Sequence, residues 1–147
     1  MIQAYPEVER WIVGGHSLGG VAAANFAGTA SRVDGLLLWA SYPSSSTDLS
    51  GEEDLEVTSI RGRQDGLLGT QSFEQAQDRL SASTACIEVE GANHVYFGDY
   101  GTQSGDGEAT VSREEARVEI VSASSAMIER VRSQGLQNSA ATSSRTP

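Results

Sequence analysis

Trp11 to Ala30 reads WIVGGHSLGGVAAANFAGTA, and the architecture expected of the whole chain grows from it. At its centre Gly15-His16-Ser17-Leu18-Gly19 makes a G-x-S-x-G pattern. The apolar run Trp11-Ile12-Val13 predicts a strand before it, and the alanine-rich Val21–Ala27 predicts a helix after it. In a strand–tight turn–helix the central serine takes a strained backbone conformation, and its hydroxyl projects above the sheet. Gly15 and Gly19, two residues to either side, are expected to leave room for strand and helix to approach each other. Five letters alone recur by chance. The strand in front and the helix behind make them specific.

Outward from this centre the chain alternates. Leu36–Ala40 is a second unbroken apolar run, Val57–Ile60 a third strand and Ala85–Val89 a fourth. Phe73–Leu80 has helical spacing, with Ser72 as its expected N-cap, and Ser112-Arg113-Glu114-Glu115 fits a capping box opening a helix to about Arg132. Continuous apolar strands separated by helices predict a parallel sheet covered on both faces, an α/β fold of about four strands. The domain is expected over residues 1–132, with 133–147 a disordered polar tail. Residues 2–10 read as the end of a helix and a turn, and Ser41–Glu56 as a polar loop.

Composition narrows the function classes. The 147 residues carry a net charge of -10, and all ten basic residues are arginine. No basic stripe exists to meet phosphates, so neither nucleic acid nor an anionic membrane is expected as partner. Cys86, the one cysteine, lies in an apolar run and is expected to be buried. No run reaches membrane-spanning length. MIQAYPEVER has no basic patch and no apolar core, so it does not read as a signal peptide, and a cytoplasmic location is the expectation.

Three chemically able residues fall just beyond the carboxyl ends of different strands, where open α/β sheets gather function: Ser17, Asp65 and His94. A serine hydroxyl is a poor nucleophile until an imidazole accepts its proton, and the imidazole needs a carboxylate to fix its tautomer. Their order, serine then acid then histidine, is the one such a triad takes on this kind of sheet. Asp65 also reads as an Asp-Gly turn residue; Asp48, Glu52, Glu53 and Asp54 are alternative acids, less well placed at the amino end of their strand. His16, inside the elbow, is expected to point away from the serine as a packing or orienting residue, which leaves His94 as the base. Two distant histidines and one cysteine make no zinc site. Asp99, Asp106 and Glu108 miss the calcium-loop spacing and read as solvated turns, so neither metal nor cofactor is expected.

The elbow GGHSLGG, the later RGRQDGL and the segment EGANHVYFGDYGTQSGDG together resemble the α/β-hydrolase superfamily. The nearest likeness is to its compact bacterial branch related to the dienelactone hydrolases, with serine as nucleophile. The resemblance covers roughly residues 2–132. It implies Ser17 as nucleophile, Asp65 as acid, His94 as base and the Leu18 backbone N–H as one oxyanion donor. The implied activity is hydrolysis of a small-molecule carboxylic ester, or of a related amide or thioester, through an acyl-enzyme. The strands that precede the elbow strand in this superfamily have no counterpart here, so the chain is expected to be the C-terminal half of such a fold. The elbow strand would then be an exposed edge open to self-association, with a half-built oxyanion hole. A non-catalytic remnant acting as an interaction module is the alternative reading. Residues 41–56 are too few and too polar for a helical cap, so an open pocket is expected.

Overall fold

A computed structural model describes residues 2–143. A 3₁₀ turn over Ile2–Ala4 leads into strand β1 (Ile12–His16), helix α1 (Leu18–Ala27), β2 (Gly35–Trp39), β3 (Glu56–Gly62), α2 (Thr70–Gln77), β4 (Ala85–Val89), a 3₁₀ turn at His94–Phe97 and α3 (Arg113–Ser143). The four strands form one parallel sheet in the order β1-β2-β3-β4. Val13 pairs with Leu36, Leu36 with Val57 and Ile60 with Ile87, so neighbouring apolar runs lie side by side.

Both faces of the sheet are covered, which is why its central strands read as unbroken apolar runs. On one face Leu36, Leu38 and Val57 pack with Ala23, Ala24 and Ala27 of α1, and Leu49, Leu55 and Leu80 complete the cluster. On the other face Leu37, Trp39, Ile60, Ile87 and Val89 meet Ala116, Ile120 and Ala123 of α3. Leu49, inside the polar loop of residues 41–55, is fully buried against α1, so part of that loop belongs to the core. Small alanines let α1 lie close to the sheet. Trp39 Nε1 donates to Ser124 Oγ at 3.1 Å, and Arg130 reaches Thr58 Oγ1 at 2.8 Å, fixing α3 along the opposite face.

Several local expectations change. Helix α2 begins three residues earlier than its apolar spacing suggests: Gly69 is the N-cap, and Phe73 N–H donates to its carbonyl at 3.0 Å. Ser72 is therefore inside the first turn and caps nothing. The box at Ser112 forms as expected, Glu115 N–H donating to Ser112 Oγ at 3.2 Å and Ser112 N–H to Glu115 Oε2 at 2.8 Å. Helix α3 does not stop at Arg132 but runs to Ser143, with no proline to interrupt it. The rest of the expected tail, 144–147, lies outside the described residues. Cys86 is exposed and not buried. On edge strand β4 its side alternates outward from the cluster holding Ile87 and Val89, and its thiol donates to Gln77 Oε1 at 2.8 Å. Among the described residues no helix is long and apolar enough to cross a membrane.

Candidate active site

The turn from β1 into α1 forces Ser17 to φ 53°, ψ −124°, a left-handed conformation that costs a non-glycine residue about 1–3 kcal/mol. Its backbone is pinned on every side. Ser17 N–H donates to the Trp39 carbonyl at 3.0 Å, and its own carbonyl accepts from Gly20 N–H at 3.0 Å and from Ser41 Oγ at 2.7 Å. The close approach of strand and helix is real at Gly15, where a Cβ would stand 2.4 Å from the Gly19 carbonyl carbon. Gly19 itself faces open space; the second crowded glycine is Gly20, whose Cβ would meet Ser41 Oγ at 2.4 Å. The expected role of Gly19 thus passes to Gly20. Leu18, which opens α1, is 79% exposed, and its N–H, in the first turn, has no acceptor within the helix.

At the end of β3 the chain turns so that Asp65 faces inward. Its Oδ1 accepts the N–H groups of Leu67 at 2.9 Å and Leu68 at 2.8 Å, which locks the carboxylate's orientation. Its Oδ2 lies 2.8 Å from Nδ1 of His94, and both side chains are only 2% exposed. The loop after β4 comes close enough for this because glycines line the contact: a Cβ on Gly62 would fall 2.2 Å from the Ala92 carbonyl oxygen. Asp48, Glu52, Glu53 and Asp54, the alternative acids, have no contact with His94 among the hydrogen bonds and ion pairs of the described residues.

With Nδ1 engaged by the carboxylate, the other ring nitrogen of His94, Nε2, is left buried with no hydrogen-bond partner. No hydrogen bond joins it to the Ser17 hydroxyl among the described residues. The elbow and the histidine loop nevertheless touch. The ring of His16, adjacent to Ser17, lies 4.5 Å from the ring of His94, stacks on Phe97 and sits 2.5 Å from the Tyr100 hydroxyl through Nδ1. His16 is thus a packing residue in this cluster. Burial pushes its pKa below 6.5, the neighbouring His94 ring adds to that, and a bond to the His94 carbonyl together with Asp65 and Asp106 only partly opposes it.

Asp106, which reads as a solvated turn residue in sequence, is instead a structural acceptor. It takes N–H groups from Gly66, His94, Val95 and Gly107. Burial alone would raise its pKa, but these backbone donors together hold it below the ordinary carboxylate range. The signal available in sequence was its setting, an aspartate between Gly105 and Gly107, where bare backbone can close around a carboxylate.

No group of three His, Cys, Asp or Glu side chains among the described residues is placed to hold a metal ion. A groove of about 730 Å³ lined by Arg10, Asp34, Glu52 and Glu53 lies at the amino ends of β2 and β3, away from Ser17 and His94.

Residues 1–118 match the family model described as the alpha/beta hydrolase family. No curated protein matches the chain in sequence. Among solved structures it is similar to the esterase domain of a Rhodothermus marinus protein, with a TM-score of 0.54 and 14% identity over 79% of this chain and 59% of that one. It is also similar to a predicted CIB-like hydrolase from Thermoplasma acidophilum, with a TM-score of 0.53 and 20% identity over 81% of this chain and 54% of that one. At these identities the likeness is one of fold, and the chain spans less than two thirds of either structure. Four parallel strands, a serine elbow after the first of them and a family match over residues 1–118 lead to one conclusion: the chain belongs to the alpha/beta hydrolase family.

Proposed function

We propose that this chain carries a serine hydrolase centre for carboxylic esters or related acyl bonds, with Ser17 as nucleophile, His94 as base and Asp65 as acid. The observation that carries the reading is the buried Asp65–His94 pair, at 2.8 Å, whose imidazole lies 4.5 Å from the ring of His16, the residue before a serine held at positive φ. The Asp65 carboxylate keeps the proton of His94 on Nδ1, which leaves Nε2 free to accept. Ser17 Oγ attacks the acyl carbon and passes its proton to Nε2, and the Leu18 N–H donates to the oxyanion that forms. The intermediate collapses as His94 returns the proton to the leaving alcohol. Water activated by the same imidazole then releases the acid and restores Ser17.

The same residues serve esters, amides and thioesters. The connection from β2 to β3 carries no helix, which favours small or accessible acyl groups over long lipid chains. The second reading is a non-catalytic module. Favouring it is the lack, among the described residues, of a hydrogen bond from the Ser17 hydroxyl to Nε2.

Labelling with a fluorophosphonate separates the two. A covalent adduct on Ser17, absent in Ser17→Ala, is the expected result. A folded chain that takes no label would overturn the hydrolase reading.

A further inference from the structure

One carboxylate that the chemistry above does not use sits between the segments bearing acid and base. Asp106 Oδ1 accepts the Gly66 N–H at 3.2 Å and the His94 N–H at 3.1 Å, and the Gly107 N–H at 2.8 Å. Its Oδ2 accepts the Val95 N–H at 3.1 Å. Gly66 follows Asp65 directly. A single oxygen atom therefore bonds the amide after the acid and the amide of the base itself.

The two segments meet here as bare backbone. A Cβ on Gly66 would lie 2.6 Å from the Gly105 carbonyl oxygen, and one on Gly107 would lie 1.8 Å from that of Gln64. Side chains cannot interdigitate at such a contact, so what can join the loops is an acceptor reaching several N–H groups at once. An anion suits this better than an amide. Asparagine offers one acceptor oxygen, and its NH₂ would face the Val95 or His94 donor with a second donor. The far end of the same turn is also held: Arg113 donates to the Val95 carbonyl at 3.0 Å and to that of Gly98 at 2.7 Å. Asn93 Nδ2 donates to the Gly107 carbonyl at 2.8 Å, tying the Asp106 loop to the residue before His94.

We infer that Asp106 is a positioning residue for the hydrolytic centre: its carboxylate clasps the backbone beside Asp65 to the backbone of His94 and so sets the register of the acid–base pair. This rests on the Ser17–Asp65–His94 reading. A misplacement of about 1 Å at such a pair costs on the order of 10²-fold in rate, so loss of the clasp has a measurable consequence without touching substrate.

The test uses the full chain with ¹⁵N-labelled histidine. The Nδ1–H proton of His94, bonded to a buried carboxylate, gives a downfield, slowly exchanging signal, assigned by its loss in His94→Gln. In Asp106→Asn, with an unchanged far-UV circular dichroism spectrum, that proton is expected to exchange at least tenfold faster, and fluorophosphonate labelling of Ser17 to slow by about tenfold to a hundredfold. Exchange and labelling at the unmodified rates would overturn the inference. Should the unmodified chain take no label, the hydrolase reading fails and the exchange rate alone decides the role of Asp106 as a clasp. Should Asp106→Asn not fold, the unmodified chain, uniformly ¹⁵N-labelled, carries the test. The amide protons of Gly66, His94 and Val95 are expected to shift with pH through one common midpoint, and three separate midpoints would overturn the clasp.

Discussion

The carboxylate of Asp65 and the imidazole of His94, 29 residues apart in the chain, meet at 2.8 Å with both side chains 2% exposed. The partnership is directional. One oxygen of Asp65 is occupied by the Leu67 and Leu68 amides, and the other is aimed at Nδ1. A carboxylate fixed in this way has one orientation to offer. It dictates which ring nitrogen carries the proton.

Asp65→Asn tests that dictation. The amide oxygen can keep both backbone bonds, so the fold is expected to survive, with its chemical denaturation midpoint nearly unchanged. Its NH₂ group, however, donates toward Nδ1 and drives the imidazole proton to Nε2, the wrong tautomer for accepting from serine. Labelling of Ser17 by a fluorophosphonate is predicted to fall by about 10⁴-fold, the size seen when the acid of a serine-protease triad is changed in the same way. Labelling within tenfold of the unmodified chain would move the acid role elsewhere.

Much of this arrangement is legible in the sequence, for physical reasons that differ by residue. Leu36, Leu37 and Leu38 have to be apolar without alternation because helices cover both faces of β2, and that reads directly. Ser17 is marked by glycines, and the capping box at Ser112 by its spacing. The limits of α2 are not legible, because Gly69 caps through backbone geometry and carries no side-chain signal. Cys86 misleads because an apolar run on an edge strand still turns one side to solvent. Asp106 is half legible: Gly105 and Gly107 mark room for a carboxylate, but its distant partners, the Gly66 and His94 amides, are brought to it by tertiary folding.

The strain at Ser17 predicts a trade between stability and chemistry. Ser17→Gly removes a left-handed serine that costs about 1–3 kcal/mol, while the added freedom of glycine in the unfolded chain takes back about 0.5–1 kcal/mol. The variant is expected to be more stable to urea by about 1 kcal/mol and to take no label. A loss of stability would mean that the bonds from Trp39, Gly20 and Ser41 hold the turn only when a side chain is present.

The glycines of the elbow divide by what surrounds them. Gly15→Ala drives a methyl to 2.4 Å from the Gly19 backbone, and overpacking of this kind costs about 1–3 kcal/mol. Gly19→Ala meets nothing within 4 Å and lies within α1, where alanine is favoured by up to about 1 kcal/mol. Urea titrations of the two variants are therefore predicted to shift in opposite directions. Equal losses at both positions would show that Gly19 is constrained by contacts beyond this structure.

The pKa of His16 predicts a pH dependence whose sign can be worked out. Burial is the largest cause of its depression, the nearby His94 ring adds to it, and the carboxylates of Asp65 and Asp106 oppose both. With the folded value below the ordinary 6.5, the unfolded chain binds more protons as pH falls through that range. Stability linked to His16 is complete above about pH 6.5, declines as pH falls toward the folded value and is fully lost below it. Asp106, held low by its backbone donors, loses its contribution as pH falls below the ordinary carboxylate range. His16→Gln should flatten the slope of the urea midpoint just below pH 6.5 and leave the acid limb intact. An unchanged slope in that variant would assign the titration to another group.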